Sequence, residues 1–211
     1  MSQLTTSLKE ASLVPGAAAA LIPPAFAPSV DLSVSFASSE AAPSSSSSSS
    51  VRLGNLLRVS QVQREPSVSF QVEAGAAAND GSYLLMLVDP DAPTPEDPKF
   101  AFWRHWVVSG LKPPSSSSFS FSSSPALSSS GTTLTAFLGP GPKPESNPHR
   151  YLFLLYREPP GLALTRAEVG GDAFVERRSF DVAGFVAAHG LQLAGVNWML
   201  CAADEQSAEN E

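Results

Sequence analysis

The sequence predicts a mainly β protein, an antiparallel or mixed β-sandwich with a few short peripheral helices. Three observations carry that expectation: runs of strand pattern dominate, turn signals recur between them, and no strand–helix–strand alternation is visible. A chain of 211 residues is long enough for one substantial domain, and sandwiches of this size commonly remain single. The expected division is an N-terminal segment over 1–29, one domain over 30–203, and an acidic tail over 204–211 that frays. Within the domain, Ser-rich loops are expected at 37–50 and 113–131.

Taken in order, Leu4 to Leu13 has Leu4 and Leu8 at helical spacing and ends at Pro15-Gly16, which predicts a short helix. From Val30 to Phe36, apolar Val30, Leu32, Val34 and Phe36 alternate with Asp31, Ser33 and Ser35, the period of a half-buried strand. Val68, Phe70 and Val72 repeat the pattern. Between these strands, Ala41 to Ser50 ends in a serine run that buries too little apolar surface to offset ordering, so a disordered loop is expected there. Tyr83 to Val88 is continuously apolar, as a central strand covered on both faces would be. Trp106 to Val108, Thr133 to Leu138 and Leu152 to Tyr156 read as further strands, with a Ser/Pro-rich excursion from Pro113 to Ser130. Val182, Phe185, Val186 and His189 fall at helical spacing before Gly190, which predicts a helix over Phe180 to His189. A last apolar strand is expected around Leu191 to Leu200.

Charge and cysteine content narrow the function classes. A formal net charge of -7 and a pI near 4.9 repel nucleic acid and anionic membrane surfaces, so no nucleic-acid partner is expected. The one cysteine, Cys201, excludes an internal disulfide, fits a reducing compartment and reads as a small core residue. No stretch approaches the roughly 20 apolar residues of a membrane span, and the first residues lack the pattern of a signal peptide. A cytoplasmic monomer is expected.

Two clusters carry the chemistry. Asp89-Pro90-Asp91-Ala92-Pro93 closes the Tyr83 to Val88 run and leads to Trp103-Arg104-His105-Trp106. Gly139-Pro140-Gly141-Pro142 leads to His149-Arg150-Tyr151 and the next strand. In extended backbone, residues two apart face the same way, so Asp89 with Asp91, and His149 with Tyr151, are expected to converge on one polar pocket. The competing reading makes the aspartates caps of an Asx-type turn and the two histidines hydrogen-bonded core residues. His189 reads as packing or capping, and core burial alone explains Trp103 and Phe100 as readily as an aromatic pocket wall does. An Asp beside a histidine favours the imidazolium and fixes its tautomer, so His105 and His149 with Asp support make an anion site, and the glycines admit a ligand oxygen to main-chain donors. No His-x-His or helical His pair preorganises a metal sphere, and no Gly-x-Ser-x-Gly, Walker or dinucleotide motif is present; no metal and no cofactor are expected.

The two clusters, in this order, resemble the phosphatidylethanolamine-binding protein family, whose signatures are Asp-Pro-Asp-Ala-Pro leading to a His and Gly-x-Gly-Pro leading to His-Arg-Tyr. The resemblance spans about Val30 to Leu200 and implies a β-sandwich whose pocket accepts phosphate, acetate-like anions or a phospholipid head group. By those motifs, Asp89, Asp91, Pro93, Phe100, Trp103, His105, Gly141, Pro142, His149 and Tyr151 would contact the ligand. Two departures, Lys143 after the Gly-x-Gly-Pro and Phe100 where a tyrosine is common, imply a cationic mouth and a lost hydroxyl. The segment Leu4 to Phe26, the Leu53-Gly54-Asn55 turn, Pro148 to Tyr156 and Leu191 to Leu193 with Asn197 look like the fungal branch related to carboxypeptidase Y inhibitors. That likeness implies a binding regulator whose partner is a small anion, a phospholipid head group or a serine carboxypeptidase. Fungal relatives also imply an alternative, an enzyme of secondary metabolism assisting condensation or cyclisation of an anhydride or polyketide intermediate, with Asp89, His105 and His149 as the catalytic set.

Overall fold

A computed structural model describes residues 2–37, 48–72, 81–112 and 131–205. Among the described residues, nine strands form two sheets. The smaller holds β2 (Ser48–Ser50), β1 (Val30–Ala37) and β4 (Ser67–Val72) in that spatial order. In the larger the order is β3 (Leu56–Arg58), β9 (Gln192–Ala202), β8 (His149–Arg157), β5 (Tyr83–Asp89), β6 (Trp103–Leu111), β7 (Thr132–Thr135). Every pairing is antiparallel except β3 with β9. Among the described residues three α-helices are added: α1 (Gln3–Glu10), α2 (Arg166–Val169) and α3 (Val182–Ala188).

The large sheet is the middle of three layers. Its inner face packs Leu85, Leu87, Phe153, Leu155 and Met199 against Val30, Leu32, Val34, Phe36, Val68 and Phe70 of the small sheet. Its other face packs Leu84, Met86, Val88, Leu152, Leu154, Val196 and Trp198 against Leu4, Leu8, Leu13 and Ile22 of the N-terminal segment and Val182 and Phe185 of α3. That double coverage is why Tyr83 to Val88 is apolar at every position rather than at alternate ones. Cys201 lies in the inner core, and His189 caps α3 with its ring 4.5 Å from Phe185.

Several boundaries differ from expectation, each for a physical reason. Ser48–Ser50 is not loop but the strand β2, because its main chain pairs with Ser35 to Ala37, a pairing that owes nothing to side-chain hydrophobicity; Ala37 likewise ends β1. The rest of that serine run and the 113–130 excursion lie outside the described residues. β6 starts at Trp103 rather than Trp106, so His105 is inside a strand. β7 ends at Thr135, earlier than Leu138. The start of the acidic tail is held: Asp204 accepts from Ser60 Oγ at 2.6 Å and Glu205 pairs with Arg58.

Candidate functional site

Asp89 ends β5, and the chain turns at Pro90-Asp91. Its Oδ1 accepts the Asp91 N–H at 2.7 Å and its Oδ2 accepts from His149 Nδ1 at 2.8 Å. One carboxylate therefore does both things that the sequence left as alternatives: it closes the Asx turn and orients a histidine. Side chains of both partners are at most 4% exposed. With Nδ1–H committed to Asp89, the other ring nitrogen of His149, Nε2, lies 3.0 Å from Ser146 Oγ.

Asp91 does not converge with Asp89, because the strand ends before it and the two-residue period no longer applies. Its carboxylate is taken up by Arg150, which donates from the backbone at 2.8 Å, from Nε at 2.9 Å and from Nη2 at 2.5 Å. Arg150 Nη1 reaches on to the carbonyls of Ala11 and Ser12, at 2.9 and 3.2 Å. Alternation along β8 thus sends His149 and Tyr151 to the inner face and Arg150 to the N-terminal segment. The two rings that face inward stack with centroids 6.2 Å apart.

His105 arrives through a β-bulge. Leu87 pairs with Trp106 but the next residue, Val88, pairs with Arg104, which leaves His105 as the extra residue of β6. A bulge re-aims a side chain, and here it sets the His105 ring edge-on to Tyr151 at 5.2 Å. His105 Nδ1 donates to the Leu138 carbonyl at 2.7 Å, while Leu138 N–H donates back to the His105 carbonyl at 2.9 Å. Arg177 Nη1 holds the same His105 carbonyl at 3.1 Å together with that of Ala136 at 2.9 Å. Burial lowers the His105 pKa below the ordinary histidine value, against the raising influence of the Asp89 charge and the Leu138 bond. Burial also pushes the Tyr151 hydroxyl well above the ordinary tyrosine range, helped by the Asp89 charge and opposed by the Gly141 amide.

Of the remaining predicted residues, Trp103 is placed beside His105 and the Gly141 backbone beside Tyr151. Pro142 is buried, whereas Gly141 is exposed and an added Cβ there would meet nothing within 4 Å. The glycine that close packing requires is Gly139, whose added Cβ would sit 2.9 Å from Gln63 Oε1. Pro93 is half-buried in the turn after Asp91, and Trp103, 8% exposed, stands 6.4 Å from His105 between ring centroids. Phe100 lies under the Arg178 guanidinium at 4.4 Å. Lys143 is largely exposed and lies 3.9 Å from Glu145. Among the described residues, no group of three or more His, Cys, Asp and Glu is placed to hold a metal ion, and no helix is long and apolar enough to cross a membrane.

Sequence reasoning missed Arg150, Leu138, Arg177 and Arg178. Arg150 is legible in principle, since a basic residue between two inward-facing ones faces the opposite side of the strand and needs an acid there, but the motif reading assigns Asp91 to the pocket. Leu138 acts through its main chain, which no side-chain pattern reveals.

Chemically, the arrangement is a pair of imidazoles, each anchored through Nδ1, beside a tyrosine hydroxyl at the ends of β5 and β8. A two-sheet β protein with a buried His/Asp/Tyr cluster where β5, β6 and β8 meet is the class that fold and geometry define. The chain belongs to the phosphatidylethanolamine-binding protein family, whose model matches residues 47–199. It is 31% identical over 134 residues to the carboxypeptidase Y inhibitor of Saccharomyces cerevisiae, a match covering 56% of this chain and 61% of the inhibitor's length. Among solved structures, a carboxypeptidase Y inhibitor complexed with its cognate proteinase superposes with a TM-score of 0.70 at 23% identity, over 95% of both chains. A phosphatidylethanolamine-binding protein from Plasmodium vivax gives 0.66 at 22% identity, over 95% of this chain and 97% of that one. At those identities the two structures speak for the fold.

Proposed function

We propose that the protein is a non-enzymatic regulator whose pocket takes a small oxyanion, such as the phosphate of a phospholipid head group, and which inhibits a serine carboxypeptidase in the cytoplasm. The observation that carries the anion reading is the Nδ1 anchoring of both imidazoles, His149 on Asp89 at 2.8 Å and His105 on the Leu138 carbonyl at 2.7 Å. With Nδ1 fixed as a donor, Nε2 is left to take up the proton that an anion stabilises. Gly141, Pro142, Tyr151, Pro93, Phe100 and Trp103 line the approach in this reading, and Asp91 serves the frame rather than the ligand. Because burial holds His105 below its ordinary pKa, anion binding draws in a proton, and affinity falls as pH rises through the histidine range. The protease half of the reading is supported by the likeness to the yeast inhibitor, which spans only part of that protein.

Calorimetric titration of phosphate and phosphoethanolamine tests the pocket: equal binding by wild type and a His105→Ala, His149→Ala double variant removes it from the account. Carboxypeptidase Y hydrolysis of a peptide substrate, measured with and without added protein, tests the second half. Undiminished hydrolysis at micromolar protein would refute the inhibitor reading and leave the pocket standing.

A further inference from the structure

The Trp103 wall of the pocket carries a cation with nothing to bind. Arg178 holds its guanidinium over Phe100 at 4.4 Å, with the Trp103 and Phe174 rings at 5.7 and 5.8 Å. Neighbouring arginines are committed: Arg104 donates to Thr135 Oγ1 and the Gly171 carbonyl, and Arg177 to the carbonyls of His105 and Ala136. Arg178 makes no hydrogen bond and no ion pair among the described residues, and its Nε is buried without an acceptor. Trp103 Nε1 is a second buried donor without an acceptor, on a side chain only 8% exposed. A buried N–H left unpaired forfeits the bond it had with water. Two such donors lie on neighbouring side chains, the guanidinium 5.7 Å from the Trp103 ring, and a guanidinium favours an anionic acceptor.

We propose that Arg178 and Trp103 form a second anion subsite beside the His105 and His149 pocket, so that the protein selects a phosphate-bearing ligand with an additional carboxylate over the same ligand without it. This rests on the pocket reading above and narrows its ligand. The Trp103 ring adjoins both loci, 6.4 Å from His105 and 5.7 Å from the Arg178 guanidinium, so the ligand that engages both carries a phosphate and a carboxylate joined by a short linker. Phe174, 62% exposed and edge-on to Trp103 at 4.7 Å, is the side chain whose displacement opens Nε1 to the ligand.

O-phospho-L-serine and O-phosphoethanolamine differ by one carboxylate and are the probes, titrated calorimetrically beside inorganic phosphate. Wild type should bind phosphoserine about tenfold or more tightly than phosphoethanolamine. Arg178→Met, which keeps the length of the stacked side chain, should bring the two probes within about twofold and leave inorganic phosphate unchanged, while Arg178→Lys keeps part of the preference. Phosphate binding without any preference in wild type, or a preference that survives Arg178→Met, overturns the subsite and spares the pocket; failure of all three probes to bind wild type overturns both. Glycerophosphoserine separates the sources: binding tighter than phosphoserine marks a lipid head group, and weaker binding a free phosphomonoester.

Discussion

Arg150→Met should be the most damaging single change at the frame of the site, and its size follows from the contacts. Asp91 is wholly buried and its carboxylate has three donors, all from Arg150: backbone N at 2.8 Å, Nε at 2.9 Å and Nη2 at 2.5 Å. The substitution leaves the backbone donor alone facing a buried charge. Removing one partner of a buried pair costs about 3–5 kcal/mol, and the 18% exposure of the Arg150 side chain places this case near the lower end. Losing the Nη1 bonds to the Ala11 and Ser12 carbonyls adds about 1 kcal/mol. The sum, roughly 4 kcal/mol, corresponds to a fall in Tm on the order of 10 °C for a chain of this size. Urea unfolding followed by tryptophan fluorescence measures it, and adding Asp91→Asn should restore about half, since it removes the stranded charge. A loss under about 1 kcal/mol for Arg150→Met, or no recovery in the double variant, would refute the reasoning.

Cys201 should be inert in the native protein, because burial pushes its thiol up to about 12; a thiol reagent at pH 8 should label it only as fast as the protein unfolds. Since burial lowers the folded-state pKa of His105, the unfolded chain takes up that proton first. Stability from this residue is therefore full above the ordinary histidine value of about 6.5 and declines as pH falls below it, and His105→Gln should flatten that part of the stability–pH curve. Gly54→Ala places a Cβ 2.4 Å from the Trp198 ring at a φ of +102°, and should cost about 2–3 kcal/mol in urea unfolding. Gly141→Ala, with open space at its Cβ, should stay within about 0.5 kcal/mol.

The parts legible in the sequence were those written in side-chain period. The both-face burial of Tyr83 to Val88, the alternation of β1 and the shared face of His149 and Tyr151 all follow from hydrophobic pattern and strand pleat. What escaped is written in the main chain or in register. Ser48–Ser50 pairs through backbone alone, and Leu56–Arg58 is too short to show a period, yet it pairs in parallel with Leu200 to Ala202. The bulge at His105 hid the start of β6, since the extra residue breaks the alternation that would have marked Trp103 and Arg104 as strand. Asp91 pairs with Asp89 in the motif reading because residues two apart in extended backbone face the same way, and the turn at Pro90-Asp91 that ends β5 cancels that geometry.

The most direct test of the central claim uses the chain's three histidines. With imidazole nitrogens labelled, phosphate is titrated near pH 6 and followed by NMR. The account predicts that the Nε2 signals of His105 and His149 move together with saturation and shift toward the protonated form, while His189, out on α3, stays still. Movement of His189 alone, or of none of the three under conditions where calorimetry detects binding, would contradict it.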